Sequence, residues 1–315
     1  MVQLVALSLF IGLAVGHFGL KAVTVDGTTQ VILFRQNNPK APALKAPVRA
    51  GGTVRFNWTE IIKMHFGPTI AYLGELPTPS TKPTDVNFFK IYEKGYDAQK
   101  GKWANEIASD NSDSYTVQIP SDIKSGTYVL RTEIIALHGN ANPISSSFLA
   151  GPQFYTYCFN VDVVNGGTVE PKGVKIPGAY TKEALRTPIY LPGEHDSAAI
   201  VAQGNELNSK YIVPGPLLYS GKYDAPTGSP PLAKETGAYP AELQAKYEAM
   251  AKKLAVPTQD LVKYVNTQVW QNGKMNDAGS SGFVAVVSKV VGERNKIINT
   301  TEFQELKAAI EKNRT

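Results

Sequence analysis

A two-residue period, carried by runs of β-branched and aromatic residues, constrains this chain more than any other feature. Ser114 to Ile119 (SYTVQI) alternates cleanly, and Thr127 to Leu137 (TYVLRTEIIAL) and Gln153 to Val164 (QFYTYCFNVDVV) are long runs of strand-forming residues. Successive side chains of a strand point to opposite faces, so such segments must bury one face against a second layer. Lys21 to Phe34 reads as two strands around a turn at Asp26-Gly27, and Thr53 to Trp58, Thr69 to Leu73 and Phe88 to Tyr92 also read as strands. Ala50-Gly51-Gly52, Ser125-Gly126 and Asn165-Gly166-Gly167 are turn signals, and the Pro-rich stretches Asn37 to Val48 and Leu76 to Thr84 read as loops. Short strands punctuated by Gly and Pro predict an all-β fold, an antiparallel β-sandwich whose long connections carry function.

The period changes after Tyr219. Gly221 to Pro240 is rich in Pro, Gly, Ala and Lys and reads as a linker. Beyond it, Leu243, Tyr247, Met250 and Leu254 form an amphipathic helical stripe, and Thr258 to Trp270, Ser288 to Ile298 and Thr301 to Lys312 look similar. The expected organisation is a sandwich domain over 17–220, a linker over 221–240 and a helical or partly disordered extension over 241–315, separable from the domain. The extension contains no cysteine, which excludes a cysteine-rich cellulose-binding module.

The amino end is a targeting segment. Leu4 to Val15 (LVALSLFIGLAV) is shorter than the ~18 apolar residues of a membrane span and ends with small residues, Ala14 and Gly16, at the −3 and −1 positions. A signal peptide over 1–16, secretion and no membrane span follow, and Asn57-Trp58-Thr59 and Asn299-Thr300-Thr301 are matching glycosylation sequons. Cleavage after Gly16 makes His17 the first residue of the mature chain. Its α-amine, with a pKa near ~8, and its imidazole form a chelate from one residue, and such nitrogens suit Cu(II).

Composition narrows the chemistry. One cysteine excludes an intramolecular disulfide framework and any multi-cysteine metal site, leaving four histidines as metal-ligand candidates. The net charge of +5 is spread without a Lys/Arg stripe, which excludes a nucleic-acid partner. His65 lies in Met64-His65-Phe66-Gly67-Pro68, His138 ends the strand EIIALH, and His195 sits in the loop GEHDS, where it reads as solvent-exposed. Gln153 and Tyr155, two apart, share a face of their strand. Spacing alone leaves two readings for this polar pair: neighbours of a histidine-held metal, or a surface Gln beside a core-edge Tyr.

HFGLKAVTVDG, MHFGPTIAYLG, FFKIYEKG with GKWA, PSDIKSGTYVLRTEIIALH, GPQFYTYCFNVDV and YIVPGPLLY occur in that order between His17 and Tyr219. Together they resemble the fungal lytic polysaccharide monooxygenases of auxiliary activity family 9, formerly glycoside hydrolase family 61. The resemblance implies an immunoglobulin-like sandwich with long loops and a flat copper face. It assigns His17 and His65 as copper ligands and Tyr155 as the axial ligand. His138 and Gln153 become the outer hydrogen-bonding groups, and Tyr211 a surface contact to glucan. It further implies one copper per chain, an external small-molecule or enzymatic reductant, and O₂ or H₂O₂ as co-substrate. The expected reaction is oxidative cleavage of β-1,4 bonds in cellulose or a related β-glucan, at C1 and/or C4, by a monomer. The alternative is a non-catalytic copper-binding or glycan-binding sandwich.

The chain departs from that family pattern. It reads Arg131-Thr132-Glu133 where relatives usually have a histidine between Arg and Glu, and its Phe34 to Gly51 region is shortened. Relatives carry there a cysteine that bridges to the position of Cys158, and others after the strand matching PTIAYLG. A bridge of this kind contributes ~2–4 kcal/mol.

Overall fold

Asp26 and Gly27 both have positive φ, 45° and 81°. That is the backbone of a two-residue hairpin turn, and it folds Leu20–Val25 (β1) onto Thr28–Gln30 (β2). The computed structural model describes residues 20–30, 46–61, 63–78, 81, 83–140, 151–228, 241–272 and 274–312. The signal segment over 1–16, His17 and residues 31–45 lie outside the described residues.

The strands continue with Ala46–Arg49 (β3), Thr53–Trp58 (β4), Thr69–Glu75 (β5), Asn87–Lys94 (β6), Tyr96–Asp97 (β7) and Lys102–Trp103 (β8). After the helix Ala104–Asp110 (α1) come Ser114–Gln118 (β9), Gly126–Ala136 (β10), Gln153–Val164 (β11) and Val174–Lys175 (β12). One sheet has the order β2-β1-β4-β9 and the other β12-β6-β5-β10-β11-β3. Every pair within them is antiparallel except β11 with β3. β3 overlaps the end of the stretch read from sequence as loop; Ala46 and Val48 are buried in it, and its parallel partner lies far along the chain. Two sheets packed face to face are the sandwich that the alternating strands require.

Alternation decides which residues fill the gap. Val54, Phe56, Leu130, Ile134, Phe159 and Val161 meet in the core between the sheets and are fully buried. Burial of such a side chain contributes roughly 1.5–3 kcal/mol. The opposite face of the larger sheet carries Ile70, Tyr72, Val129 and Ile135. It is covered by the connection after β12, which includes Lys182–Leu185 (α2) and Ala198–Ser209 (α3). Thr181 and Ser197 cap these helices by accepting from the backbone N–H of Ala184 and Ile200.

The extension is helical: Ala241–Tyr264 (α4), a π-helical turn over Val265–Val269, the hairpin Trp270–Gln271 (β13) and Lys274–Met275 (β14), Asp277–Ile298 (α5), and Thr301–Lys312 (α6). Leu243, Met250 and Leu254 of the stripe bury with Phe303 and Leu306 in a small core. The side chain of Tyr247 lies outside the described residues. Leu261, Val262, Val265 and Val269 join the sandwich core, beside Ile61 and Met64. Among the described residues, no helix is long and apolar enough to cross a membrane.

Candidate metal centre

Three neighbouring strands of the larger sheet deliver the predicted site residues to one end of the sandwich. The β5–β10 ladder pairs Thr69 with Ile134, and two further backbone bonds prolong it: Ile135 N–H to Pro68 O at 3.2 Å and Leu137 N–H to Phe66 O at 2.7 Å. Gly67 makes this approach possible, because a Cβ there would lie 1.8 Å from the Ile135 carbonyl oxygen. Asn105 fixes the same turn by accepting from Gly67 N–H at 3.0 Å. His65 and His138 are thereby placed side by side, their ring centroids 4.3 Å apart. On the other flank, β11 sets Gln153 opposite Ala136 and Tyr155 opposite Ile134. The Tyr155 ring lies 5.7 Å from that of His65, and its hydroxyl donates to Gln153 Oε1 at 3.2 Å.

His65 is buried and His138 half-buried. Burial alone pushes the His138 imidazole down to about 4, so the ring is neutral near pH 7. Its Nδ1 is covered and meets no hydrogen-bond partner among the described residues. Leu20 pairs with Trp58, and Trp58 packs edge-on against Tyr157 at 5.5 Å. The described chain therefore starts at the end of the sandwich where Tyr155 lies.

Imidazole nitrogens with a phenol oxygen are a donor set that suits copper. Among the described residues, no three His, Cys, Asp or Glu side chains gather into a metal site. The further nitrogens that the resemblance calls for belong to His17, outside the described residues. The residues present fit such a centre: paired rings, a neutral imidazole and a phenol oriented by an amide.

The remaining candidates separate from this cluster. His195 is exposed in its loop. Tyr211 packs edge-on against Trp103 at 5.1 Å, and its hydroxyl is covered. Its ring is half-exposed. Burial holds that phenol above its ordinary range. Asn299 is exposed, whereas Asn57 Nδ2 donates to Thr24 Oγ1 at 3.2 Å within the sheet. Thr132, standing where relatives have histidine, is fully buried and hydrogen-bonded to the Tyr115 hydroxyl.

A second polar cluster occupies the opposite face of β10 and β11. Glu133 is fully buried, pairs with Arg131 and accepts from Tyr180 Oη at 2.5 Å, while the Tyr180 and Tyr72 hydroxyls lie 2.8 Å apart. Burial and the Glu133 charge push the Tyr180 phenol far up. Cys158, opposite Arg131 in register, has its Sγ 4.0 Å from Arg131 Nη1.

Sequence reasoning missed the contacts that the extension makes with the His65 loop. Asn266 Oδ1 accepts from Lys63 N–H at 3.2 Å, its Nδ2 donates to Glu60 Oε1 at 3.0 Å, and Trp270 packs edge-on against Phe66 at 5.0 Å. The only signal was a polar residue and an aromatic one near the end of a helical pattern.

Two packed sheets with an imidazole pair, a tyrosine and a glutamine at one end define the class as a β-sandwich with a polar, histidine-bearing edge. The profile of Auxiliary Activity family 9 (formerly GH61) matches residues 20–191, and the chain belongs to that family. It is 36% identical over 196 residues to AA9 family lytic polysaccharide monooxygenase A of Geotrichum candidum, covering 62% of this chain and 60% of the relative. With AA9 family lytic polysaccharide monooxygenase A of Thermoascus aurantiacus it shares 38% identity over 209 residues, covering 62% and 81%. Among solved structures, the extended catalytic domain of H. jecorina LPMO9A superposes with a TM-score of 0.52 at 25% identity, over 69% of this chain and 96% of that domain. The chain thus spans less than two thirds of the Geotrichum relative it matches. The helical extension lies beyond the family-matched residues.

Proposed function

We propose that this chain is a secreted, copper-dependent lytic polysaccharide monooxygenase that cleaves β-1,4-linked glucans such as cellulose. The observation that carries the reading is the convergence of His65, His138, Gln153 and Tyr155 at one end of the sandwich, in a chain of this family. Removal of 1–16 would expose His17, whose amine and ring would hold copper together with His65 and Tyr155. His17 is three links before Leu20, a span of at most ~11 Å. Bound copper would supply the one-electron exchange with an external reductant and the activation of O₂ or H₂O₂ that attack on a sugar C–H bond at C1 or C4 requires.

The chain's own groups have separate tasks. Gln153 accepts the Tyr155 hydroxyl proton and so fixes the direction of the phenol oxygen. His138, neutral through burial, carries one ring N–H to give and one lone pair to take a proton back. The packed aromatic and aliphatic residues beneath exclude water from the underside of the site. Outer groups of this kind commonly change metal affinity or activity about 10–100-fold.

Incubating the processed protein with copper, ascorbate and cellulose tests the reading. Aldonic acids or C4-ketoaldoses are expected, dependent on reductant and abolished by a chelator. Tight copper binding without oxidised sugars would instead establish a non-catalytic copper or glycan binder.

A further inference from the structure

We infer that the C-terminal helical unit is a built-in clamp that positions His65, with Asn266 and Trp270 as its positioning residues. The inference rests on the copper reading of His65. Three observations carry it. Asn266 brackets the segment before His65 from both sides of its amide, accepting from Lys63 N–H and donating to Glu60. Trp270 is buried, 8% exposed, and its ring meets that of Phe66, the residue after His65. Val265 and Val269, from the same turn, are buried in the core that includes Ile61. His65 therefore has an anchor from the extension on either side in sequence.

The local backbone serves this arrangement. Asn266 stands in the π-helical turn that ends α4, a widened turn that re-aims side chains and recurs at functional sites. The hairpin that follows is tied to the sandwich a second time: Lys274 Nζ donates to the Asp196 carbonyl at 3.2 Å, and Asn276 Nδ2 to Glu194 Oε2 at 3.1 Å. The unit is thus held at two places, which limits rocking of the turn against the His65 loop. A metal ligand on a loop is only as well placed as the groups that hold the loop.

The test uses the full processed chain and its Asn266→Ala, Asn266→Asp, Trp270→Ala, Trp270→Phe and Lys253→Ala variants. Cu(II) affinity is read by calorimetry, ligand geometry by electron paramagnetic resonance, and the loop by amide exchange at Lys63. Asn266→Ala and Trp270→Ala should bind copper about tenfold more weakly, with altered hyperfine coupling and faster Lys63 exchange. Trp270→Phe should restore the spectrum, since a ring still covers Phe66. Asn266→Asp keeps an acceptor for Lys63 N–H and should restore its protection. Lys253→Ala breaks only the Lys253–Glu302 pair between α4 and α6 and should leave all three readouts at wild type. Wild-type spectra, affinity and exchange in Asn266→Ala and Trp270→Ala would overturn the clamp, as would an equal change in Lys253→Ala. Should Trp270→Ala fail to fold, Asn266→Ala decides alone. A wild-type protein that binds no copper refutes the copper reading only, and Lys63 exchange in the metal-free variants then decides the clamp.

Discussion

Two polar clusters share β10 and β11 and differ in how fully they are satisfied. On the outer face, Glu133 meets Arg131 and Tyr180, and Tyr180 meets Tyr72. At the strand ends, His138 keeps a covered Nδ1 without a hydrogen bond among the described residues. The first cluster answers its own charges and holds the sheet to the loop above it. The second pairs two imidazole rings beside a phenol that donates to an amide. Burial is common to both, so burial alone does not separate them; the covered Nδ1 of His138 does.

Mutation can break this contrast. Glu133→Ala should have the largest effect, because it leaves Arg131 without its buried partner and strips Tyr180 of its acceptor. A loss of about 3–5 kcal/mol in urea unfolding is expected, with copper affinity unchanged in the folded fraction. His65→Ala should show the reverse. It should lower Cu(II) affinity by more than the ~100-fold upper range of outer-group changes, read by calorimetry. If each variant altered both properties equally, the two clusters would be one coupled network.

A carboxyl outside both clusters sharpens the comparison through pH. Burial lifts Glu106 to about 7, against the opposing pull of the Trp103 N–H and of Lys102 and Lys63, with Asp110 adding to the rise. A carboxyl raised in the folded state favours folding when protonated. Its contribution is therefore full below the unfolded value and falls as pH rises through about 7. Chemical unfolding should show about 2 kcal/mol more stability at pH 4.5 than at pH 7.5 from this group, after screening. Glu106→Gln should flatten that part of the profile. The smallest change is expected for Tyr155→Phe. It removes one hydrogen bond to Gln153, costs about 1 kcal/mol in unfolding and leaves copper bound, with activity lowered.

Much of the fold was legible because alternation is local. The strands at 53–58, 114–118, 126–136 and 153–164 follow from period and turn residues that the sequence displays directly. β3 was not legible, since Ala46–Arg49 carries a proline and becomes a strand only through its distant partner β11. Nor was α3, whose weakly amphipathic AAIVAQGNELNS depends on the Ser197 cap and on packing over the outer face. At the site, the shared face of Gln153 and Tyr155 could be read from their spacing. The meeting of His65 with His138 required the pairing of β5 with β10, which spacing does not encode; there the family motifs carried the reading. The Asn266 and Trp270 contacts depend wholly on how the extension packs, and nothing local announces them.

The Lys63–Asn266 bond joins positions 203 apart. A nascent chain emerges from its amino end at roughly 5–20 residues per second. The strands through β11 can pair while Asn266 is still unmade. The loop bearing His65 therefore rests on a finished scaffold and receives its last neighbours only when the end of the chain arrives. Construction of the sheet and arrival of the last neighbours of the His65 loop are thus separable in time.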